Sequence, residues 1–408
     1  MQDDAMQGGP NAGGPADNTA KLRSSVPWLA IAGLIFTLGI YALNSGFVFP
    51  ANTLLMTSLG YSAAAVGAVG SAGAVGYILG SLAAPLLAAA IGLRRTAVGA
   101  VLVTALLIVG FAVIPPVLAW YPMRLVHGMA TTTLFICGES ALIALAPDAL
   151  RGRIVGFYTA FNSAFFAIGP VLVAELGFKT LLPYALVASI IALLAVPLIL
   201  QRDIAPALPA VPLRQIARSV AGIPMLLAVI FAWGWIDGET LNLLSVYATQ
   251  RGASAEHASW LLSLLAVGNV FLQFPIGWLA DHLSRRHVLA GLAALGVAGA
   301  LLLPLVDLSG RLIVVHLVLL GAVGFGTFTV SLIALGDALN GAELVAANAA
   351  FGLLWGLGNF AGALGTGWLM DTVGTIAFPL ALACGFLVQC VAALVLPLSS
   401  KPGRSPKL

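Results

Sequence analysis

The sequence predicts an all-α polytopic membrane protein, with twelve transmembrane helices arranged as two pseudo-symmetric six-helix bundles. Three observations predict it. The 408 residues are 60 % hydrophobic and 8 % charged with a mean hydropathy of +1.04, whereas a soluble domain carries roughly 25 % charged residues. From Pro27 onward the chain divides into apolar runs of helix length, each close to the roughly 20 residues that cross a hydrocarbon core. The basic residues also fall on one side of that core, as membrane insertion requires.

Residues 1–26 are rich in Gly, Pro, Asp and Asn without an apolar period, which predicts a disordered cytoplasmic tail. No cleaved signal peptide is expected, since the first apolar run is long enough to span and follows Lys21 and Arg23. The predicted spans of the first bundle, 27–200, are 27–50, 62–91, 96–118, 119–146, 152–176 and 180–200. A break at 201–222 holds Pro206, Pro209, Pro212, Arg202, Asp203, Arg214 and Arg218, and reads as a cytoplasmic linker. The second bundle, 223–397, holds spans 223–248, 256–281, 287–306, 310–338, 343–371 and 374–397, and 398–408 is a second cytoplasmic tail.

With both termini inside, the inner loops and tails hold Lys21, Arg23, Arg94, Arg95, Arg151, Arg153, Arg202, Arg214, Arg218, Arg285, Arg286, Lys401, Arg404 and Lys407. The outer turns hold only Lys179, Arg251 and Arg311, and Arg124 lies within a span. This asymmetry predicts a multi-pass membrane protein with both ends cytoplasmic. The 46 glycines fit close helix packing in lipid. Cys137, Cys384 and Cys390 lie in apolar runs with no C-x-x-C spacing, so neither metal nor cofactor is expected. A net charge of +3 gives no reason to invoke nucleic acid.

The end of the eighth span reads Gly277-Trp-Leu-Ala-Asp281-His-Leu-Ser-Arg285-Arg286, and the end of the second repeats part of it with Gly80, Arg94 and Arg95, but Ala84 in place of the Asp. This run resembles motif A of the major facilitator superfamily, with Ser284 where a Gly is usual. Arg124 and Gly128 resemble that family's fourth-span motif, while Gly169-Pro170 matches only part of its antiporter motif. Glu139-Ser140, Arg151-Gly152-Arg153, Tyr158, Gly238-Glu239, Tyr247 and the PIGWLAD run from Pro275 are similar to a largely uncharacterised YcaD-like bacterial branch, from which Ser245 departs. The resemblance implies the major facilitator fold and a conformational switch at Gly277, Asp281, Arg285, Arg286, Gly80, Arg94 and Arg95. It also implies that spans 1, 4, 7 and 10 line the cavity, which ranks Asn44 and Asn242 above the other polar residues.

Ionisable side chains inside spans cost about 2.5 to 3.5 kcal/mol at the helix centre, so each faces a partner or a cavity. Arg124, His127, Glu139, Asp237 and Glu239 qualify. Arg124 and Glu139 are roughly 22 Å apart along one helix and cannot pair. Arg124 reads as a partner for a proton carrier or an anionic group, or as a structural cation. Glu139 reads as a carboxyl that changes protonation, or as a member of a network with Arg151 or Arg153. Asp237 and Glu239 are about 200° apart, so only one can face a cavity. The family likeness favours Glu239, leaving Asp237 beside Trp235 to contact a neighbouring helix. His127 reads as a packing residue.

The expected function is secondary active transport of a small organic solute by alternating access, coupled to protons, with export of amphipathic or cationic compounds favoured over sugars. The expected partners are the solute, protons and the lipid bilayer, and the chain is expected to act as a monomer. A non-transporting sensor or scaffold, a uniporter without proton coupling and a membrane-embedded enzyme are the rivals. No H-E-x-x-H or equivalent cluster supports the enzyme.

Overall fold

The computed structural model describes residues 27–194 except 117, 148 and 149, together with 196 and 222–395 except 340. The predicted tails 1–26 and 398–408, and all but the last residue of the linker 201–222, lie outside the described residues. So do the side chains of Arg151, Val155, Leu194, Ala342 and Val345.

Among the described residues twelve α-helices follow one another: α1 (Trp28–Ser58), α2 (Ala63–Ile91), α3 (Leu93–Val113), α4 (Trp120–Leu145), α5 (Arg151–Leu176), α6 (Leu181–Leu194), α7 (Pro224–Gln250), α8 (Ala255–His282), α9 (Arg285–Leu302), α10 (Arg311–Ala338), α11 (Gly341–Val373) and α12 (Ala377–Val395). No strand occurs among the described residues. Nine of these helices are long and apolar enough to cross a membrane, and α7 and α11 are not among them. The described part of α6 is apolar but short, and the other two exceptions, α7 and α11, are the helices that carry Asp237, Glu239, Asn242, Trp355 and Asn359.

Local chemistry sets the ends. Ser62, Ser254 and Ser284 each accept a backbone N–H from the first turn of α2, α8 and α9, and Pro224 opens α7 where its missing N–H is harmless. Gly92 alone joins α2 to α3 at a φ of +89°, a conformation that disfavours any side chain. One boundary differs from expectation: α1 runs past Pro50 to Ser58 rather than ending there. The proline removes one backbone hydrogen bond, but the surrounding helices bury that turn and hold its continuation in place.

The two halves repeat in their packing. In the first, α1 packs on α5, α2 on α4, and α3 on α6; in the second, α7 packs on α11, α8 on α10, and α9 on α12. The halves meet through α2 against α11 and α5 against α8, pairs that exchange under the same symmetry.

That meeting is strongest from mid-depth to the end carrying the α1–α2 and α7–α8 turns. Ser71 Oγ donates to the Phe360 carbonyl at 2.9 Å, and Thr53 Oγ1 to the Asn242 carbonyl at 3.0 Å. On the other flank Asn269 donates to Ser163, Ser263 to the Ala167 carbonyl and Ser259 to the Pro170 carbonyl, at 2.8, 3.1 and 2.7 Å. At the rim the Asp371 carboxylate of α11 accepts the Ala63 and Ala64 backbone N–H groups, each at 2.9 Å. A carboxylate on the first N–H groups of a helix meets both unsatisfied donors and the positive end of the helix dipole. One hydrophobic cluster runs through both halves here, while a second, built around Ile223, Val229, Leu289 and Phe351, belongs to the second half alone. Toward the basic loops Phe157, Phe274 and Trp278 are exposed, and a Cβ on Gly156, Gly277 or Gly352 would meet open space.

The tightest point of the seal is Gly67, where a Cβ would come 2.1 Å from the Ala363 carbonyl oxygen. Gly67→Ala therefore forces α2 from α11 and is expected to destabilise the sealed arrangement by about 1 to 3 kcal/mol. Gly99→Ala, where a Cβ meets nothing within 4 Å, is expected to raise stability by up to about 1 kcal/mol. Thermal unfolding in detergent, with thiol-labelling of a cysteine placed at the sealed rim, checks both. Equal effects of the two substitutions would contradict this account of the seal.

Candidate functional site

The site is built outward from α7, whose middle carries two carboxyls in different surroundings. Asp237 is half-buried and lines a cavity enclosed by α7, α8, α10 and α12, with Phe166 of α5 at its edge. Trp233, Phe325, Phe378 and Phe386 form much of its wall, and Asp237 and Thr240 are its polar side chains. Trp355 Nε1–H of α11 donates to Asp237 Oδ2 at 3.1 Å. The other oxygen, Oδ1, makes no hydrogen bond among the described residues.

Glu239 is fully buried between α7 and α11. Its Oε2 accepts Thr366 Oγ1–H at 2.6 Å and Trp235 Nε1–H at 3.2 Å, while Oε1 is buried without a partner. The two carboxyls thus stand the other way round from the sequence expectation. The helical twist separates them as predicted, but α11 packs on the Glu239 side, where Gly238 lets the Asn359 backbone approach, and so the open side belongs to Asp237.

The first half contributes a different set. Arg124 of α4 is 2 % exposed and lies over the Phe49 ring of α1, with the guanidinium carbon 4.8 Å from the centroid. Tyr77 of α2 is within electrostatic reach, and no carboxylate pairs with Arg124 among the described residues. One turn on, His127 Nε2–H donates to Asn44 Oδ1 at 2.8 Å, which leaves His127 Nδ1 and Asn44 Nδ2 buried without partners. Asn44 is fully buried and does not line the cavity in this state. Asn242 is 3 % exposed and belongs to the seal: its Nδ2–H donates to the Gly238 carbonyl at 2.8 Å, and its side chain fills the space beside Gly70.

Glu139 lies far from Arg124, as expected. It is half-buried and accepts the Tyr158 hydroxyl of α5 in a short hydrogen bond. Arg153 is exposed, and the Arg151 side chain lies outside the described residues.

The predicted switch residues sit at the unsealed end. Asp281 is exposed and 3.7 Å from Arg285, whose Nε–H donates instead to Asp337 of α10 at 3.1 Å. Arg286 donates to the Leu394 carbonyl of α12. In the first half Gly80 lets α2 lie against the Met129 backbone, and Arg95 is exposed. The structure thus places Asp281, Arg285 and Arg286 together, and keeps them apart from Gly80, Arg94 and Arg95, which belong to the other half.

Sequence reasoning missed Tyr77, Asp371, Asp337 and Thr366 as site partners, and offered Trp355, with Trp233 and Trp235, only as an aromatic that stacks on an apolar solute or packs. Only Asp371 and Asp337 carried a signal, as charges at the ends of apolar runs. Among the described residues no group of three or more His, Cys, Asp or Glu could hold a metal ion.

A family model described as the Major Facilitator Superfamily matches residues 34–252 and 225–408. The chain is 25 % identical over 355 residues to the uncharacterised MFS-type transporter YfkF of Bacillus subtilis, with 83 % of this chain and 88 % of that protein covered. It is 27 % identical over 316 residues to the uncharacterised MFS-type transporter YcaD of Salmonella arizonae, covering 75 % and 80 %. Among solved structures it is similar to the nucleoside transporter NupG, with a TM-score of 0.71 and 13 % identity over 90 % of this chain and 97 % of that one. A D-xylose–proton symporter matches with a TM-score of 0.68 and 17 % identity over 91 % and 97 %. At such identities these two likenesses establish the fold alone.

A buried cation without a carboxylate partner is a stability liability, so Arg124→Met is expected to leave the melting temperature unchanged or to raise it, by up to about 3 kcal/mol of stability. Calorimetry of the purified protein checks this. A loss of more than about 1 kcal/mol would mean that the guanidinium is compensated after all.

Proposed function

The chain belongs to the major facilitator superfamily, a family of membrane transporters rather than enzymes, and on that premise we propose that it is a secondary active transporter moving a small organic solute by alternating access. Protons are the coupling ion, and the cargo is an amphipathic or cationic compound carried outward. The basic loops lie in the cytoplasm with both termini, which makes the described arrangement inward-open: closed at the Asp371 rim and parted at the Arg285 end.

One observation carries this reading. A carboxyl at mid-depth, Asp237, stands at the edge of an apolar, aromatic-walled cavity with one oxygen uncommitted. A cation and a proton compete for such a group, and competition for one carboxyl is the simplest way to exchange one for the other. Trp233 and Phe325 offer ring faces to the apolar body of the cargo. A sugar, with many hydroxyls to satisfy, would need a more polar lining than Asp237 and Thr240 provide. The likeness in fold to a protein titled a D-xylose–proton symporter adds analogy for proton coupling, though not for the cargo. Arg124 and Glu139 are assigned to the coupling path rather than to the solute, since neither lines this cavity.

Proteoliposomes with an imposed pH gradient test the proposal, using tetraphenylphosphonium and ethidium as lipophilic cation probes. Gradient-driven movement is expected in the wild type, with Asp237→Asn lowering it roughly tenfold or more and Glu239→Gln lowering it less. Movement that ignores the gradient would replace the proposal with uniport. If no probe crosses faster than in empty vesicles, or Asp237→Asn transports like the wild type, the proposal is lost.

A further inference from the structure

Trp355 stands at mid-depth on α11, and its indole reaches in two directions. Within its own half, Nε1–H donates to Asp237 Oδ2 at 3.1 Å. Across the interface, the ring lies against Tyr77 of α2, centroids 5.5 Å apart and planes inclined by 50°. This is the inner layer of the seal, below the Ser71 bond to the Phe360 carbonyl. The Trp355 backbone has no freedom of its own, because Gly234 of α7 lies so close that a Cβ there would come 2.2 Å from the Trp355 carbonyl oxygen. What remains adjustable is the tilt of the indole, and Asp237 holds one end of it.

We propose that Trp355 is a positioning residue that converts neutralisation of Asp237 into release of the seal between α2 and α11. The proposal rests on the reading of Asp237 given above. A hydrogen bond to an ionised acceptor is roughly twice as strong as one to a neutral acceptor. While Asp237 is ionised and empty, it fixes the indole at the tilt that packs on Tyr77, and the outer end stays closed. When a proton or the cationic group of a solute takes the carboxylate, Nε1–H loses its charged acceptor and the Tyr77 contact is no longer enforced. Tyr41 and Tyr77 lie within electrostatic reach of Asp237, and Glu239 stands two residues further along α7, bonded to Thr366 and Trp235 rather than to Trp355. Trp355 does not line the cavity itself; it acts through Asp237.

Spin labels at Leu59→Cys and Val373→Cys, on the sealed ends of α1 and α11, report closure in a background lacking Cys137, Cys384 and Cys390. Leu59 and Val373 are both exposed, so the labels need not disturb packing. Between about pH 8 and about pH 5 the wild-type population with the longer label distance is expected to rise roughly five- to tenfold. Asp237→Asn should remove the response and hold the protein near its acid value. Trp355→Phe, which keeps a ring on Tyr77 but removes the donor, should remove the response too, and Tyr77→Leu provides the second variant that breaks the other contact. A wild type without a response, or a Trp355→Phe protein that responds like the wild type, overturns the proposal. A response lost in Trp355→Phe but intact in Asp237→Asn would instead overturn the reading of Asp237.

Discussion

Contact between the backbones of α2 and α11 is the constraint on which the rest of the structure depends. Lipid offers no hydrophobic force to press two helices together, so the contact is made of small residues and hydrogen bonds. Gly67 meets the Ala363 carbonyl, Gly367 meets Ala63, and Ser71 and Asp371 bind α11 and α2 through backbone groups. Interfaces packed this closely do not stretch; they are either made or broken. With α2 held to α11 and α5 to α8 at one end, the halves can part only toward the other. The cavity beside Asp237 has a different origin: it lies within the second half, among α7, α8, α10 and α12.

Charge is distributed unequally between the halves. The first half holds a cation, Arg124, with an aromatic face and a phenol for company. The second holds two carboxyls with different commitments. Glu239 has given one oxygen to Thr366 and Trp235, and α11 closes over it. Asp237 has given one oxygen to Trp355 and lines the cavity. Two carboxyls two residues apart therefore differ in what holds them: Glu239 ties α7 to α11, and Asp237 lines the cavity wall.

The sequence made the scaffold legible because each span must satisfy its own backbone and bury little charge, which leaves a run of about 20 apolar residues as a mark. The partial repeat of the Gly277–Arg286 run, kept in the first half as Gly80 and the basic pair Arg94 and Arg95, carried the two-fold relation of the halves. The site was less legible. The 200° between Asp237 and Glu239 shows that they part, but a twist has no origin, and only the position of α11 tells which one is covered. Expecting Glu239 to face the cavity failed for that reason. Trp355 was visible as an aromatic for stacking or packing but not as a donor to Asp237, since an aromatic residue in an apolar run looks the same whether it meets lipid or a carboxyl. One mark was there to be used: α7 and α11 fall short of the hydropathy of the other long helices because they carry the polar groups of the site.

The carboxylates at the two ends are held in opposite ways, and this bears on how the molecule alternates. At the sealed end Asp371 accepts two backbone N–H groups at the start of a 29-residue helix, a geometry that combines charge-assisted hydrogen bonds with the helix dipole. At the parted end Asp281 is exposed, 3.7 Å from an Arg285 already bonded to Asp337. Exposed pairs of that kind contribute only about 0 to 1 kcal/mol. A transporter that alternates needs contacts strong in one state and relinquished in the other, because a contact equally strong in both shifts no equilibrium. In the described state Asp371 is firmly held where the end is sealed, and Asp281 is only loosely paired where the other end is parted.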